Sequence, residues 1–135
     1  LQVKIDIPND CNQLKLPPLL IQTLVENSIK HGISKRMKGG VIQINAKKNE
    51  SIVKISILNS GFLNLKEESE TGIGIENTIK RLDLEYGDKA SFILHMKEKD
   101  MVEALLKIPF ACKSSISVSA NSKLLLMFVK LSRNP

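Results

Sequence analysis

The chain of 135 residues has no tryptophan, one tyrosine and four phenylalanines, and aromatic residues make up only 4% of it. That scarcity leaves little with which to stack on nucleic-acid bases. No stretch approaches the roughly 18 consecutive apolar residues that a membrane-spanning helix needs. Leu1 to Ile7 alternates apolar with polar residues, where a signal peptide would build one apolar block. The two cysteines, Cys11 and Cys112, are too few for a disulfide scaffold and lack metal-ligand spacing, so they read as reduced thiols. Acidic residues are absent from the last 25 positions, which hold Lys113, Lys123, Lys130 and Arg133; sixteen of the twenty basic residues remain elsewhere, against fourteen acids. The net charge of +6 is therefore concentrated at the end of the chain, and the body is expected to contact neither nucleic acid nor membrane.

What is present fits one globular domain: 42% hydrophobic and 25% charged residues, in a length that can bury one continuous core. Gln2 to Ile7 alternates as a strand. Pro17-Pro18 opens a helix that runs to about His31, with Gly32 as its left-handed C-cap. Ile42, Ile44 and Ala46, then Val53, Ile55 and Ile57, mark the two arms of a hairpin turning at Asn49-Glu50. Asn59 to Thr71 reads as a loop, and a second helix runs from about Ile73 to Tyr86 along Ile75, Ile79, Leu82 and Tyr86, with Gly87 ending it. A second hairpin carries Phe92, Leu94 and Met96 opposite Val102, Ala104, Leu106 and Ile108. After Phe110 the composition changes to a serine-rich stretch and an apolar run, Leu124 to Leu131. The expected boundary puts one domain at residues 1–110 and a linker and apolar tail of unassigned role at 111–135. The element order predicts an α+β fold, a two-layer sandwich with helices on one face of a mostly antiparallel sheet.

Three groups of residues carry chemistry. On the first helix, Thr23, Glu26, Asn27 and Lys30 share the side opposite Leu24, Val25 and Ile29, with His31 at the edge. A carboxylate, an amide, an ammonium and an imidazole thus face one cleft. An amide oxygen suits Mg²⁺ that keeps waters and bridges phosphates, and lysine suits the phosphates themselves. The plain alternative is a solvated helix face. The second group, Gly72-Ile73-Gly74, precedes the second helix, where glycine lets phosphate approach the backbone and helix N–H groups attract anions. A lone Gly-x-Gly is otherwise a loop-to-helix turn. In the third, Asn59-Ser60-Gly61, an asparagine amide can accept from an amino group and donate to a ring nitrogen, as adenine requires. Alone it is a turn.

Together, in this order and spacing, the three resemble the nucleotide-binding boxes of the GHKL superfamily of gyrase B, a heat-shock chaperone, histidine kinases and MutL. Leu16-Pro17 followed by Gln22-x-Leu24-Val25-Glu26-Asn27-x-x-Lys30-His31-Gly32 is similar to the N box of one histidine-kinase subgroup, which signals to response regulators with a LytTR-type DNA-binding domain. Gly72 to Asn77, Arg81-Leu82 and Lys107-Ile108-Pro109 fit the same subgroup, so the resemblance spans residues 1–110. It implies a Bergerat-type sandwich with a mixed sheet that binds ATP and Mg²⁺. By position, Asn27 is the implied Mg²⁺ ligand, and Lys30 and His31 contact phosphate or ribose. Asn59 and Gly61 form the adenine box, Gly72 and Gly74 flank the triphosphate, and residues 61–72 form the ATP lid. Glu26 is the implied residue that positions or deprotonates a reacting group, which makes Glu26 and Asn27 the candidate catalytic pair. Three positions depart from the pattern: Asn59 replaces a common Asp, Thr23 a common Pro, and Glu70 a common Gly.

His31 and His95 are the only histidines, and His95 falls on the outward side of its strand. The phosphoacceptor histidine and dimerisation helices are therefore expected upstream, in a homodimeric receptor with this domain on its cytoplasmic side and an anchor in the membrane. Two other readings remain open: a GHKL ATPase or anti-sigma-type serine kinase, and a nucleotide-binding module that transfers no phosphate.

Overall fold

A computed structural model describes residues 1–8, 11, 16–17, 19–33, 37, 39–63 and 68–110, the backbone alone for 68–73. Pro18, Cys112, most of the Asn9 to Gln13 loop, residues 64–67 and the tail 111–135 lie outside the described residues.

Five strands form one mixed sheet in the order β1-β2-β3-β5-β4. They are β1 (Gln2–Asp6), β2 (Val41–Asn49), β3 (Ile52–Ser60), β4 (Ser91–Glu98) and β5 (Met101–Pro109). β1 runs parallel to β2, pairing Val3 with Ile42 and Ile5 with Ile44, and the other neighbours are antiparallel. The β2–β3 hairpin turns through Glu50, at φ 48°. Alternation puts Ile42, Ile44, Ala46, Val53, Ile55, Ile57, Ala104, Leu106 and Ile108 in one buried cluster with Leu20, Ile21, Leu24, Val25, Leu82 and Tyr86 of the helices. Each fully buried Ile or Leu among them contributes about 2 kcal/mol. Both described helices therefore cover the same face, as the sequence pattern predicts. β1 is thinly covered: all five residues are exposed, as suits a short edge strand.

The helix bounds differ from the expectation. α1 is Leu20–Asn27, three residues short of the prolines at its start, because Leu19 adopts φ 66° and breaks the right-handed path. At its end the chain widens into a π-helical turn, Ser28–Ile33, and does not stop at a left-handed Gly32. The Ser28 N–H meets the carbonyls of both Leu24 and Val25, and its hydroxyl donates to the Leu24 carbonyl at 2.9 Å. Such back-bonding competes with the regular ladder and bends helices.

α2 starts earlier than expected, spanning Glu68–Tyr86. Gly72 and Gly74 therefore sit inside the helix and not ahead of it. Its buried stripe is also shifted: Thr78 is 2% exposed while Ile79 is 41% exposed. The Thr78 hydroxyl satisfies itself on the Gly74 carbonyl at 2.9 Å. Gly87, at φ 57°, ends the helix as expected.

Candidate nucleotide site

A cavity of about 50 Å³ lies between the helices and the β3–β5–β4 end of the sheet. Its walls are Leu24, Asn27, Ser28, His31 and Gly32 from the first helix and its π-turn, and Asn59, Phe62 and Leu63 from the end of β3 and beyond. Ile75 of α2 and Phe92, Leu94, Val102 and Ala104 of the second hairpin close it. The lining is mostly apolar, with a few convergent polar groups, which is the make-up of a small-molecule site. Asn27 and His31 from one sequence motif and Asn59 from another share this one cavity.

The π-turn explains how. It swings Gly32 onto the end of β3 so closely that a Cβ there would overlap Asn59 Nδ2 and lie 2.8 Å from the Ser60 carbonyl oxygen. A Cβ on Gly61 would lie 2.7 Å from the Gly32 Cα. Gly61 also takes φ 147°, and its N–H donates to the Asp100 carbonyl at 2.9 Å, tying the corner to the β4–β5 turn. The Ser60 hydroxyl accepts from the Val41 N–H at 3.1 Å, and the Leu63 N–H reaches Met96 Sδ at 3.2 Å. This corner is packed backbone against backbone, which only glycine allows.

Asn27 is held differently. A Cβ on Gly74 would sit 2.8 Å from Asn27 Nδ2 and 3.1 Å from its Oδ1, so α2 lies directly against the amide. The Nδ2 is buried and has no hydrogen-bond partner among the described residues. A buried, unpaired amide costs about 1–3 kcal/mol, and one that faces a cavity is a group waiting for a ligand. The unpaired Nδ2 is a donor and suits a phosphate oxygen, while the Oδ1 of the same amide is the atom that would fit Mg²⁺ beside phosphate oxygens and waters. Among the described residues there is no group of three or more His, Cys, Asp or Glu side chains that could hold a metal ion.

Glu26, Lys30, Gly61 and Gly74 are not among the residues that line the cavity. Glu26 is exposed, and its Oε1 accepts from Gln22 Nε2 at 2.8 Å. Lys30 is exposed as well. Gly72 and Gly74 bring helical backbone, not the open N–H groups of a loop.

Sequence reasoning missed a cluster on the opposite face of the sheet. Glu103 lies between the cavity-lining Val102 and Ala104 but points the other way, and is 4% exposed. Its Oε1 accepts from the Ser56 hydroxyl at 2.6 Å, and its Oε2 from Lys97 Nζ at 3.1 Å and His95 Nε2 at 3.2 Å. Burial pushes this carboxyl up, but the bonds from Ser56 and Lys97 and the charges of Lys97 and His95 outweigh it, leaving it below its ordinary value. His95 is thus engaged on the outward side of its strand, as its alternation suggested, with its side chain 39% exposed but its Nδ1 buried. A single acid set among Val102, Ala104, Leu105 and Leu106 was the one available signal.

The architecture corresponds to that of histidine kinase catalytic domains. The catalytic domain of histidine kinase ThkA superposes with a TM-score of 0.61 at 20% identity, covering 81% of this chain and 80% of that one. In sequence, the chain is similar to sensor histidine kinase BtsS of Escherichia coli K12, 29% identical over 110 residues. It is also similar to sensor protein LytS of Staphylococcus saprophyticus, 33% identical over 105 residues. These matches cover 82% and 69% of this chain but only 20% and 18% of the relatives, so the chain spans about a fifth of their length. No protein-family model matches it. The chain thus has the fold of a histidine kinase catalytic domain, and its sequence relatives include sensor kinases.

Proposed function

We propose that residues 1–110 form the ATP-binding catalytic domain of a sensor histidine kinase, which holds ATP with Mg²⁺ in the Asn27–Asn59 cavity and donates the γ-phosphate to a histidine on another domain. The observation that carries this reading is the shared cavity: an unpaired amide at one end, an asparagine at a glycine corner at the other, and apolar walls between them. The base would lie against Asn59, Leu94, Val102 and Ala104, and the triphosphate would run toward Asn27. Mg²⁺ would supply charge neutralisation of the phosphates.

Phosphoryl transfer asks the protein mainly to position its substrate and to offset charge. Asn27 would orient the phosphates, and His31 would contact ribose or phosphate from the cavity wall. Glu26 and Lys30 would act only at the outer edge, toward the acceptor. An engineered cavity of about 150 Å³ accommodates benzene, so a purine requires these walls to part. α2 is the wall that gives most readily: its first turns include two glycines, each costing a helix about 1 kcal/mol relative to alanine. Their retreat would also free the N–H groups of Gly72 and Gly74 for phosphate, so that residues 61–72 serve as the lid.

The coarser partner, a response regulator, follows from the sensor-protein relatives. A LytTR-type regulator, a homodimeric parent and a cytoplasmic position beneath a membrane anchor are the finer parts of the reading. Among the described residues no helix is long and apolar enough to cross a membrane.

The test is to incubate γ-labelled ATP and Mg²⁺ with this chain joined to the dimerisation segment of its own gene. Acid-labile label on histidine is the expected result. Acid-stable label would point to a serine kinase, and bound but untransferred nucleotide to a binding module.

A further inference from the structure

We infer that two copies of this domain pair through the open edge of β1, as antiparallel strands related by a two-fold axis. The contact goes beyond the nucleotide reading and does not rest on it. It lies in the domain itself, apart from any dimerisation helix of the parent.

The sheet has two edges, β1 and β4. The β4 edge is blunted by a register shift between Met96 and Glu98, a device that discourages pairing. β1 keeps an unbroken register with β2 from Gln2 to Asp6 and contains no proline. Val3 and Ile5 are 36% and 39% exposed, on the side where their β2 partners Ile42 and Ile44 are fully buried. The apolar row of the sheet thus runs out to β1 and is left uncovered there.

The backbone sets what a second strand would meet. The Gln2 N–H donates to the Gly40 carbonyl at 2.8 Å, so it points toward β2. Main-chain groups alternate sides along a strand. Lys4 and Asp6 therefore follow Gln2, while Val3 and Ile5 aim their N–H and C=O groups at the open edge.

The side chains select the register. An axis through Lys4 would set it opposite the partner's Lys4, and like charges directly opposite are destabilising. An axis one residue on, through Ile5, sets Lys4 opposite the partner's Asp6 and Asp6 opposite the partner's Lys4. Lys4 and Asp6 are both exposed. In that register Ile5 and the partner's Ile5 exchange both main-chain hydrogen bonds. The two Lys–Asp pairs take the closer, non-hydrogen-bonded positions, with Cα atoms about 4.5 Å apart. Backbone direction and charge are satisfied together, and the sequence Lys4-Ile5-Asp6 is self-complementary, as a two-fold interface requires. The nucleotide cavity lies at the β3–β5–β4 end of the sheet, so both cavities stay open. One short strand joins little area, so the association is weak.

Sedimentation equilibrium of the full chain, from micromolar to millimolar concentration, tests this with Lys4→Asp, Asp6→Lys and their equimolar mixture. The wild type is expected to self-associate. Each single reversal puts like charges at both contacts and should weaken association about ten-fold or more. In the mixture every contact between the two variants again joins opposite charges, so association should return to the wild-type level. A wild type that stays monomeric, association that survives both reversals, or a mixture no stronger than its components would overturn the inference. Should either variant fail to fold by circular dichroism, hydrogen exchange in the wild type decides. The Ile5 amide should exchange more slowly as concentration rises, while the Lys4 amide, already turned to β2, should not change. An Ile5 rate independent of concentration would overturn the pairing. Lys4 and Asp6 lie outside the cavity, so neither result bears on the nucleotide reading.

Discussion

The two halves of the cavity are built on different principles. On the sheet side, Gly32, Asn59, Ser60 and Gly61 interlock so tightly that neither glycine could carry a side chain without displacing backbone. On the α2 side, Gly74 rests on an amide whose nitrogen has no partner, and the adjoining turns contain glycines that weaken a helix. One half is fixed before any ligand arrives; the other is satisfied only when one does. On the proposed reading, rigidity serves recognition of the base, and compliance the admission of the phosphates.

The largest effect should come from breaking the rigid half. Gly32→Val places branched carbon onto Asn59 and the Ser60 carbonyl, and overpacking of this kind costs about 1–3 kcal/mol or more. Urea unfolding should show that loss, with nucleotide binding abolished in whatever remains folded. A midpoint equal to wild type would mean that the corner is looser than described.

Next is Glu103→Gln, which tests whether the rigid sheet side depends on its rear face. Losing the charged partner of Lys97 and His95 should cost about 1–3 kcal/mol at neutral pH. The sign with pH follows from the lowered carboxyl. Its contribution is complete above the unfolded value, about 4.3, and is lost as pH falls through the lower folded value. Wild type should therefore lose more stability than Glu103→Gln on acidification, as read by thermal melts across pH. Parallel curves would contradict the cluster's role.

Asn27→Ala probes the compliant half and should separate binding from stability. Removing an unpaired buried amide is expected to leave stability unchanged or raise it by up to about 1 kcal/mol, while ATP–Mg²⁺ affinity falls roughly ten-fold. A loss of stability with unchanged affinity would assign Asn27 to packing. The smallest effect is expected of Gly74→Ala. Its gain in helix propensity of about 1 kcal/mol is offset by contact with the movable end of Asn27, so the melt should barely shift while ATP–Mg²⁺ binding weakens several-fold.

These contrasts also mark what could be read from sequence. The period-two pattern of Ile42-Ile44-Ala46 and Val53-Ile55-Ile57 specifies the strands and their buried face without help from the rest of the chain. Asn27 and His31 were legible in one motif and Asn59 in another, and the fold brings them to one cavity. The π-turn was not legible, because it arises from Ser28 bonding back to Leu24 and from the fit of Gly32 on β3, which is a tertiary contact. Nor was the early start of α2: Glu68 to Thr71 reads as loop by composition, yet the helix begins at Glu68. Glu103 was hidden because alternation gives a residue's face but not what its neighbours across the sheet will offer it.

On the proposed reading, Asn27 and Asn59 serve one ligand. The direct measurement follows the side-chain NH₂ resonances of both residues by NMR as ATP and Mg²⁺ are added. Both pairs of signals are expected to move along a single saturation curve. Movement of one alone, or two curves with different midpoints, would contradict it.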